Sequence, residues 1–95
     1  MEIKQGTNKF YVGNSENDFE AEITYQNLDG KTLVVDHTFV DPSLRGQGIA
    51  RKLVDVVIEK ARSEEKVIDP VCPYVKDVMT KDESTHDVLQ KYKKS

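Results

Sequence analysis

A chain of 95 residues can form one domain with a two-layer core, so we expect a single domain over residues 1–95. Its formal charge of −3 argues against broad attraction to nucleic acid, and no apolar run reaches the roughly 20 residues of a membrane span. The first residues have no apolar signal-peptide core, and one cysteine with two separated histidines gives no metal-ligand spacing. We therefore expect a cytoplasmic protein, monomeric or weakly dimeric, without a metal site.

The first half of the chain has the pattern of an antiparallel sheet. Residues 9–13 are rich in strand-forming side chains, residues 19–27 alternate apolar with polar side chains, and residues 32–40 form a third apolar run. The segments between them carry turn residues, and Asp29-Gly30 is a strong hairpin signal. The sequence predicts three antiparallel strands.

The period then becomes helical, which predicts a helix from about Gly46 to Ser63. Its apolar stripe comprises Ala50, Leu53, Val54, Val57, Ile58 and Ala61. Residues 66–71 predict a short strand that pairs parallel to the strand before the helix. One further helix is expected after Pro73 and another over residues 84–94, with Ser84 or Thr85 as N-cap. The expected fold is α/β (α+β): antiparallel strands, a β-α-β unit, a mixed central sheet and C-terminal helices.

Two of the chain's five glycines, Gly46 and Gly48, lie where the third strand turns into the helix. The first N–H groups of a helix have no partner within the helix, and with the helix dipole they suit a phosphate. Gln47 adds another N–H group. The alternative is that the glycines only make a tight turn and let the helix pack close to the sheet.

The residues of this turn can be compared with the sequence patterns of known phosphate-binding loops. A Walker A loop needs Lys followed by Ser or Thr, and the dinucleotide fingerprint G-x-G-x-x-G needs glycine where the chain has Arg51. Neither pattern fits. The stretch from Arg45 to Ala50 instead has the pattern R/Q-x-x-G-x-G/A and resembles the GNAT N-acetyltransferase superfamily. Together with its flanking strand, helix and second strand, the resemblance covers Thr32 to about Thr80.

The resemblance implies a GNAT-like fold in which the backbone of Arg45 to Ala50 holds the pyrophosphate of acetyl-coenzyme A (acetyl-CoA). The Cys-Pro-Tyr sequence at residues 72–74 is similar to the small, truncated YjdJ-type branch of that superfamily. Full GNAT domains carry two helices ahead of this core that help to build the acceptor site, and this chain has no residues for them. The residues expected to contact the cofactor are Phe39, Val40, Arg45, Gly46, Gln47, Gly48, Ile49, Ala50 and Arg51.

Transfer of an acetyl group to an amine needs a polarised thioester, a base and a proton donor for the leaving thiolate. His37 is the candidate base, because its ordinary pKa lies near neutral pH, whereas Asp36 is expected to be structural. The alternative for His37 is a side chain that only packs or binds solvent. Tyr74 is the candidate acid, since the position that the family's usual tyrosine would take falls near Met79.

Cys72 lies where the acetyl group should approach, and it could accept that group or form a mixed disulfide with coenzyme A. The alternative is an inert buried thiol. The 3′-phosphate of coenzyme A could meet a cation from one of two places, the start of the helix or the C-terminus. The candidates are Arg51, Lys52, Lys91, Lys93 and Lys94.

The sequence therefore favours an acetyl-CoA-dependent N-acetyltransferase that uses direct attack by an unidentified amine or protein acceptor. A non-catalytic coenzyme A or acyl-CoA binding module, or a thiol sensor that uses Cys72, is the main alternative. A small interaction domain in which the glycine turn is only architectural is the third.

Overall fold

The computed structural model describes residues 2–90, and its five strands form one mixed sheet. The strands lie in sequence order as β1 (Lys4–Gly6), β2 (Lys9–Ser15), β3 (Asp18–Leu28), β4 (Thr32–Val40) and β5 (Val67–Pro70). The first four pair antiparallel, and β5 pairs parallel to β4. The predicted strands and the β-α-β unit are thus confirmed. The three-residue β1 is an addition that was too short to predict.

Two helices follow β4, α1 (Ile49–Ser63) and α2 (Pro73–Lys81), with short 3-10 turns at Pro42–Leu44 and Glu83–Thr85. α1 is the crossover between β4 and β5, and its apolar stripe packs on one face of the sheet. That stripe comprises Ile49, Leu53, Val54, Val57, Ile58 and Ala61. Ala50, predicted in the stripe, is only half-buried, because Ile49 lies one turn before Leu53 and takes its place.

The helix predicted over residues 84–94 is wrong for its described part. Asp82, and neither Ser84 nor Thr85, caps the 3-10 turn by accepting a hydrogen bond from the Ser84 N–H group. The buried Thr85 hydroxyl instead donates to carbonyl oxygens at the end of α2. Val88 and Leu89 then fold against the edge of β5, where the Ile68 N–H group donates to the Val88 carbonyl at 2.6 Å. Residues 91–94 of that prediction lie outside the described residues.

A bulge in β4 shapes the region that matters for function. Val35 pairs with Tyr25 and His37 pairs with Thr24, which leaves Asp36 as an extra residue in β4. The parallel pairing of β4 with β5 also ends at Val35. The N–H groups of Val71 and Cys72 close that end by donating to the Val35 carbonyl at 3.0 and 2.9 Å. Beyond it, no described strand pairs with the outer side of β4, and we call this space the β4–β5 gap.

The sheet face opposite α1 carries the residues that alternate with the core positions, and we call it the far face. Register places two rows there across the middle strands: Lys9, Thr24 and His37, then Tyr11, Glu22 and Phe39. Thr38 and Val40 are in register with core residues Ile23 and Ala21, so they point to the α1 side.

Candidate functional site

The segment that joins β4 to α1 is held in a defined loop. The Asp41 side chain accepts hydrogen bonds from the N–H and hydroxyl groups of Ser43, which fixes the 3-10 turn. Gly46 and Gly48 then have φ of 84° and 73°, and Gly48 is the N-cap of α1. These left-handed conformations favour glycine, which explains why two glycines lie here.

The loop and the first turn of α1 present a row of backbone donors. Among residues 2–90, no protein acceptor pairs with any of the six N–H groups from Gly46 to Arg51, and the first bond of the helix runs from the Lys52 N–H group to the Gly48 carbonyl. A Cβ atom built at Gly46 or Gly48 would meet no heavy atom within 4 Å, so close packing of α1 on the sheet does not require these glycines. Donors at the positive end of a helix dipole, next to open space, fit an anionic oxygen.

A cleft of about 220 Å³ lies against this loop. It is lined by Val40, Leu44, Arg45, Gly46, Gly48, Ile49, Ala50, Arg51 and Tyr74. The Ile49 side chain belongs to the core, so Ile49 offers the cleft chiefly its N–H group, and Gln47 is exposed beside it. Arg45 Nε donates to the Val40 carbonyl at 3.2 Å, which ties the loop back to the end of β4.

The backbone of β4 divides the predicted contacts of this strand between its two sides. The Asp41 N–H group donates to the Glu20 carbonyl at 2.8 Å, and alternate residues of an antiparallel strand direct their backbone groups to opposite sides. Phe39 therefore directs its backbone to β3 and has no backbone donor for the β4–β5 gap. The backbone groups of Val40 and Thr38 face the gap, so within the stretch His37 to Val40, expected beside the cofactor, these two residues have backbone groups directed to the gap.

Arg51, predicted as a cofactor contact, is held by two carboxylates. Its Nε donates to Asp55 at 2.9 Å, and its Nη2 donates to Asp82. The Arg51 hydrogen bond, with further bonds from Ser84, lowers the pKa of Asp82 to about 2. The neighbouring Lys52 is exposed and makes no ion pair within the described range, whereas Lys91, Lys93 and Lys94 lie outside that range.

Cys72 and Thr38 meet where the gap reaches α2, and Tyr74 follows in the first turn of that helix. Cys72 is 6% exposed, and its Sγ is 3.5 Å from the Thr38 hydroxyl. Burial raises the pKa of the Cys72 thiol, but the Thr38 hydroxyl and the N–H groups of Val75, Tyr74 and Thr38 outweigh it, so the pKa lies below its ordinary value. Tyr74 is 39% exposed and faces the loop cleft, and Met79 is fully buried.

The predicted base His37 lies on the far face, where its Nε2 is 3.5 Å from Oε2 of Glu22. Oε1 of Glu22 accepts a hydrogen bond from Lys9 Nζ at 2.9 Å. Asp36 reaches the same face, because the bulge places two successive residues there, and it accepts a hydrogen bond from the Thr24 hydroxyl. Successive strand residues normally point to opposite faces, and the bulge is the reason that Asp36 and His37 share one face.

The described residues contain no group of three His, Cys, Asp or Glu side chains arranged to hold a metal ion. Within 2–90, none of the helices combines the length and apolar character that crossing a membrane requires.

Comparison with known proteins gives matches in both sequence and fold. The sequence model of the GCN5-related N-acetyl-transferase family matches residues 9–88. The chain belongs to this GNAT family. A GCN5-like protein from Staphylococcus aureus, assigned as an N-acetyltransferase, has a solution structure that is 44% identical to this GNAT chain. Its TM-score is 0.79, and the match covers 93% of this chain and 86% of that one. No curated protein matches.

Two crystal structures share the GNAT fold. A ribosomal-protein-alanine N-acetyltransferase from Brucella melitensis biovar Abortus 2308 is 21% identical over 76% of this chain, with a TM-score of 0.59. A protein from Agrobacterium tumefaciens assigned as an acetyltransferase is 29% identical over 74% of this chain, with a TM-score of 0.56. The GNAT chain described here spans 59% and 53% of their lengths, respectively.

Sequence reasoning missed two side chains of the candidate site, those of Glu22 and Thr38. Glu22 reads as the solvent-facing member of an alternating strand, but it is 8% exposed and paired. Thr38 carries no motif, and its position next to Cys72 depends on where β4 and β5 part. A lysine on a neighbouring strand is the only sequence signal for Glu22, and it becomes informative only once the register is known.

Proposed function

We propose that the chain is an acetyl-CoA-dependent N-acetyltransferase whose Gly46 to Arg51 backbone binds the pyrophosphate of acetyl-CoA. The observation that supports this proposal is the row of six unpartnered N–H groups at the start of α1. The open space at Gly46 and Gly48 leaves phosphate oxygens room to approach them. Membership of the N-acetyltransferase family gives the reaction class.

Acetyl-CoA supplies an activated acetyl thioester. In this proposal the gap-facing backbone of Thr38 and Val40 lies along its pantetheine arm. The acceptor amine forms a C–N bond as the C–S bond breaks, its proton passes to His37, and the leaving thiolate takes up a proton. Tyr74 is the proposed donor of that proton, because it lies in the first turn of α2, two residues after Cys72, and its exposed side chain lines the loop cleft.

A pair of glycine substitutions tests the loop. Asn tolerates the left-handed conformation better than most residues, and at Gly48 its side chain would fill the space in front of the N–H groups. Gly48→Asn should weaken acetyl-CoA binding at least about tenfold, a change of about 1.4 kcal/mol. Gly30→Asn is the matched control, because Gly30 has φ of 67° and equally open space but lies in the β3–β4 turn. Equal affinity of both variants by calorimetry would contradict the proposal.

A turnover assay separates an enzyme from a binding module. The protein is incubated with acetyl-CoA and a panel of amines and peptides, and the release of free thiol is followed. Release of many equivalents supports the enzyme, whereas one equivalent or less across the panel rejects it.

Thiol chemistry at Cys72 is the second candidate function, and the lowered pKa of the Cys72 thiol favours it. A coenzyme A binding module or thiol sensor would modify Cys72 without turnover. Mass spectrometry after incubation with acetyl-CoA or coenzyme A disulfide decides this point, since an unmodified Cys72 rejects both an acetyl relay and a sensor.

Several further expectations remain predictions. They are a single acetyl-CoA-binding domain over residues 1–95, a cytoplasmic location, a monomer or weak dimer, no nucleic-acid or membrane partner, and kinship with the YjdJ-type branch. A small-molecule acyl-CoA and an amine or protein acceptor are the proposed partners.

A further inference from the structure

The far face holds a buried carboxylate that the proposed reaction has not used. Glu22 lies at the centre of β3, only 8% exposed. Register places it between Tyr11 and Phe39, with Lys9 and His37 at diagonal positions in the next row. Charged side chains are rarely buried without a partner, so the surroundings of each carboxylate oxygen are informative.

The two oxygens of Glu22 are engaged unequally. Oε1 accepts the hydrogen bond from Lys9, whose Nζ also donates to the Glu16 carbonyl at 2.9 Å and lies 4.9 Å from the centre of the Phe19 ring. These contacts hold the Lys9 ammonium on the side away from His37. Oε2 has only His37 Nε2 near it, at 3.5 Å, which is long for an N–H···O hydrogen bond.

Oε2 of Glu22 is therefore able to accept another donor. Within residues 2–90 this oxygen accepts no hydrogen bond. Every described side-chain oxygen or nitrogen that is closed to solvent has a hydrogen-bond partner. The oxygen is thus reachable from outside, although the side chain around it is largely buried. A carboxylate oxygen offers two lone-pair positions, and an ammonium group supplies three N–H donors.

Aromatic side chains flank Glu22 on the β4 side of the far face. Phe39 is in register with Glu22 and is 36% exposed. Its ring packs edge to face on Phe19, with centres 6.2 Å apart and an interplanar angle of 80°. Exposed aromatic rings prefer further apolar or aromatic contacts.

We propose that Glu22 Oε2, His37 and the Phe39 ring form the acceptor subsite, and that the acceptor is a primary amine carried on an apolar or aromatic arm. This inference rests on the proposed function. His37 and Phe39 flank Thr38, which borders the β4–β5 gap and contacts Cys72. The ammonium docks on Glu22 and passes one proton to His37, which leaves the nitrogen lone pair free to attack the thioester carbonyl. The second proton leaves the nitrogen as the C–S bond breaks, and it balances the proton that the thiolate takes up.

An NMR titration of the protein saturated with coenzyme A tests the subsite. The probe is phenethylamine, and its controls are 2-phenylethanol, which lacks the charge, and the N,N,N-trimethyl derivative, which keeps the charge but has no N–H donor. Phenethylamine should shift the backbone amides of Glu22, His37 and Phe39 and bind at least tenfold more tightly than either control.

Two matched variants locate the charge contact. Glu22→Gln should weaken phenethylamine binding at least about tenfold, and Glu20→Gln, an exposed carboxylate on the same strand, should leave it unchanged. If Glu22→Gln does not fold, Phe39→Ser, at an exposed position, tests the subsite in its place, and it should also weaken phenethylamine binding.

Absence of phenethylamine binding, equal binding of the alcohol, or unchanged affinity in the Glu22 or Phe39 variant would overturn the inference. The amides of Gly46 to Arg51 report on the proposed function separately. If they do not respond to coenzyme A while the amine still titrates, the cofactor proposal fails and the amine subsite stands.

Discussion

Replacing Lys9 with Met removes the ammonium that holds the charge of Glu22 on the far face. Met keeps most of the apolar stem, so the change isolates the Lys9 Nζ contact at 2.9 Å. Breaking a fully buried ion pair costs about 3–5 kcal/mol. The Lys9 and Glu22 side chains keep 18% and 11% exposure, and His37 lies near the other oxygen, so we expect a smaller loss. We estimate about 2 kcal/mol, which corresponds to a fall in Tm of roughly 8–16 °C.

Urea denaturation of a double-mutant cycle measures this directly. Glu22→Leu alone should cost less than Lys9→Met, because a freed lysine can extend to solvent whereas a freed carboxylate stays buried. The double variant has no buried charge and should recover to within about 1 kcal/mol of the original protein. Additive losses in the two single variants would refute the interpretation of Glu22 as a buried, lysine-dependent charge.

Three other predictions concern the helices and the gap. The pKa of Asp82 should be about 2 by carboxyl NMR and should rise in Arg51→Gln. The stability that the ionised Asp82 contributes is present above the ordinary carboxyl pKa and is lost as the pH falls toward 2. In Thr38→Val, ultraviolet titration of the single thiol should show a higher pKa for Cys72, and an unchanged value would remove Thr38 as a cause. Leu53→Ala, at a fully buried site, should lower the free energy of unfolding by about 3 kcal/mol, and a loss below about 1 kcal/mol would contradict its core position.

The parts of the fold that the sequence predicted correctly rest on local patterns. β4 spans Thr32–Val40 as its apolar run indicates, and α1 follows its helical stripe, because strand and helix periods are visible within one element. The pattern failed at the C-terminus for a tertiary reason. Val88 and Leu89 have spacing that also suits a helix, but their apolar side chains cover the edge of β5.

The candidate site likewise has a part that local sequence predicts and a part that depends on tertiary structure. The loop from Arg45 to Ala50 was predictable because its pattern is contiguous and its glycines take conformations that other residues disfavour. The pairing of Glu22 with Lys9 joins residues 13 apart, and the hold of Asp82 on Arg51 joins residues 31 apart. Both depend on register and helix placement, which the order of residues alone does not determine.

One extra residue in β4 decides which residues lie on the far face and which border the gap. Asp36 shifts the pairing of β4, so that His37 and Phe39 share the far face while Thr38 borders the gap. Without the bulge, the residues after it would exchange faces, because side chains alternate along a strand. A bulge of this kind has no distinct sequence pattern here.

The most direct test of the account is a calorimetric titration of freshly prepared protein with acetyl-CoA. If the backbone from Gly46 to Arg51 is a pyrophosphate site, the titration shows saturable binding with one ligand per chain, and Gly48→Asn weakens it at least about tenfold while Gly30→Asn does not. The absence of binding heat over a range of temperatures, with the protein folded by circular dichroism, would contradict the central claim.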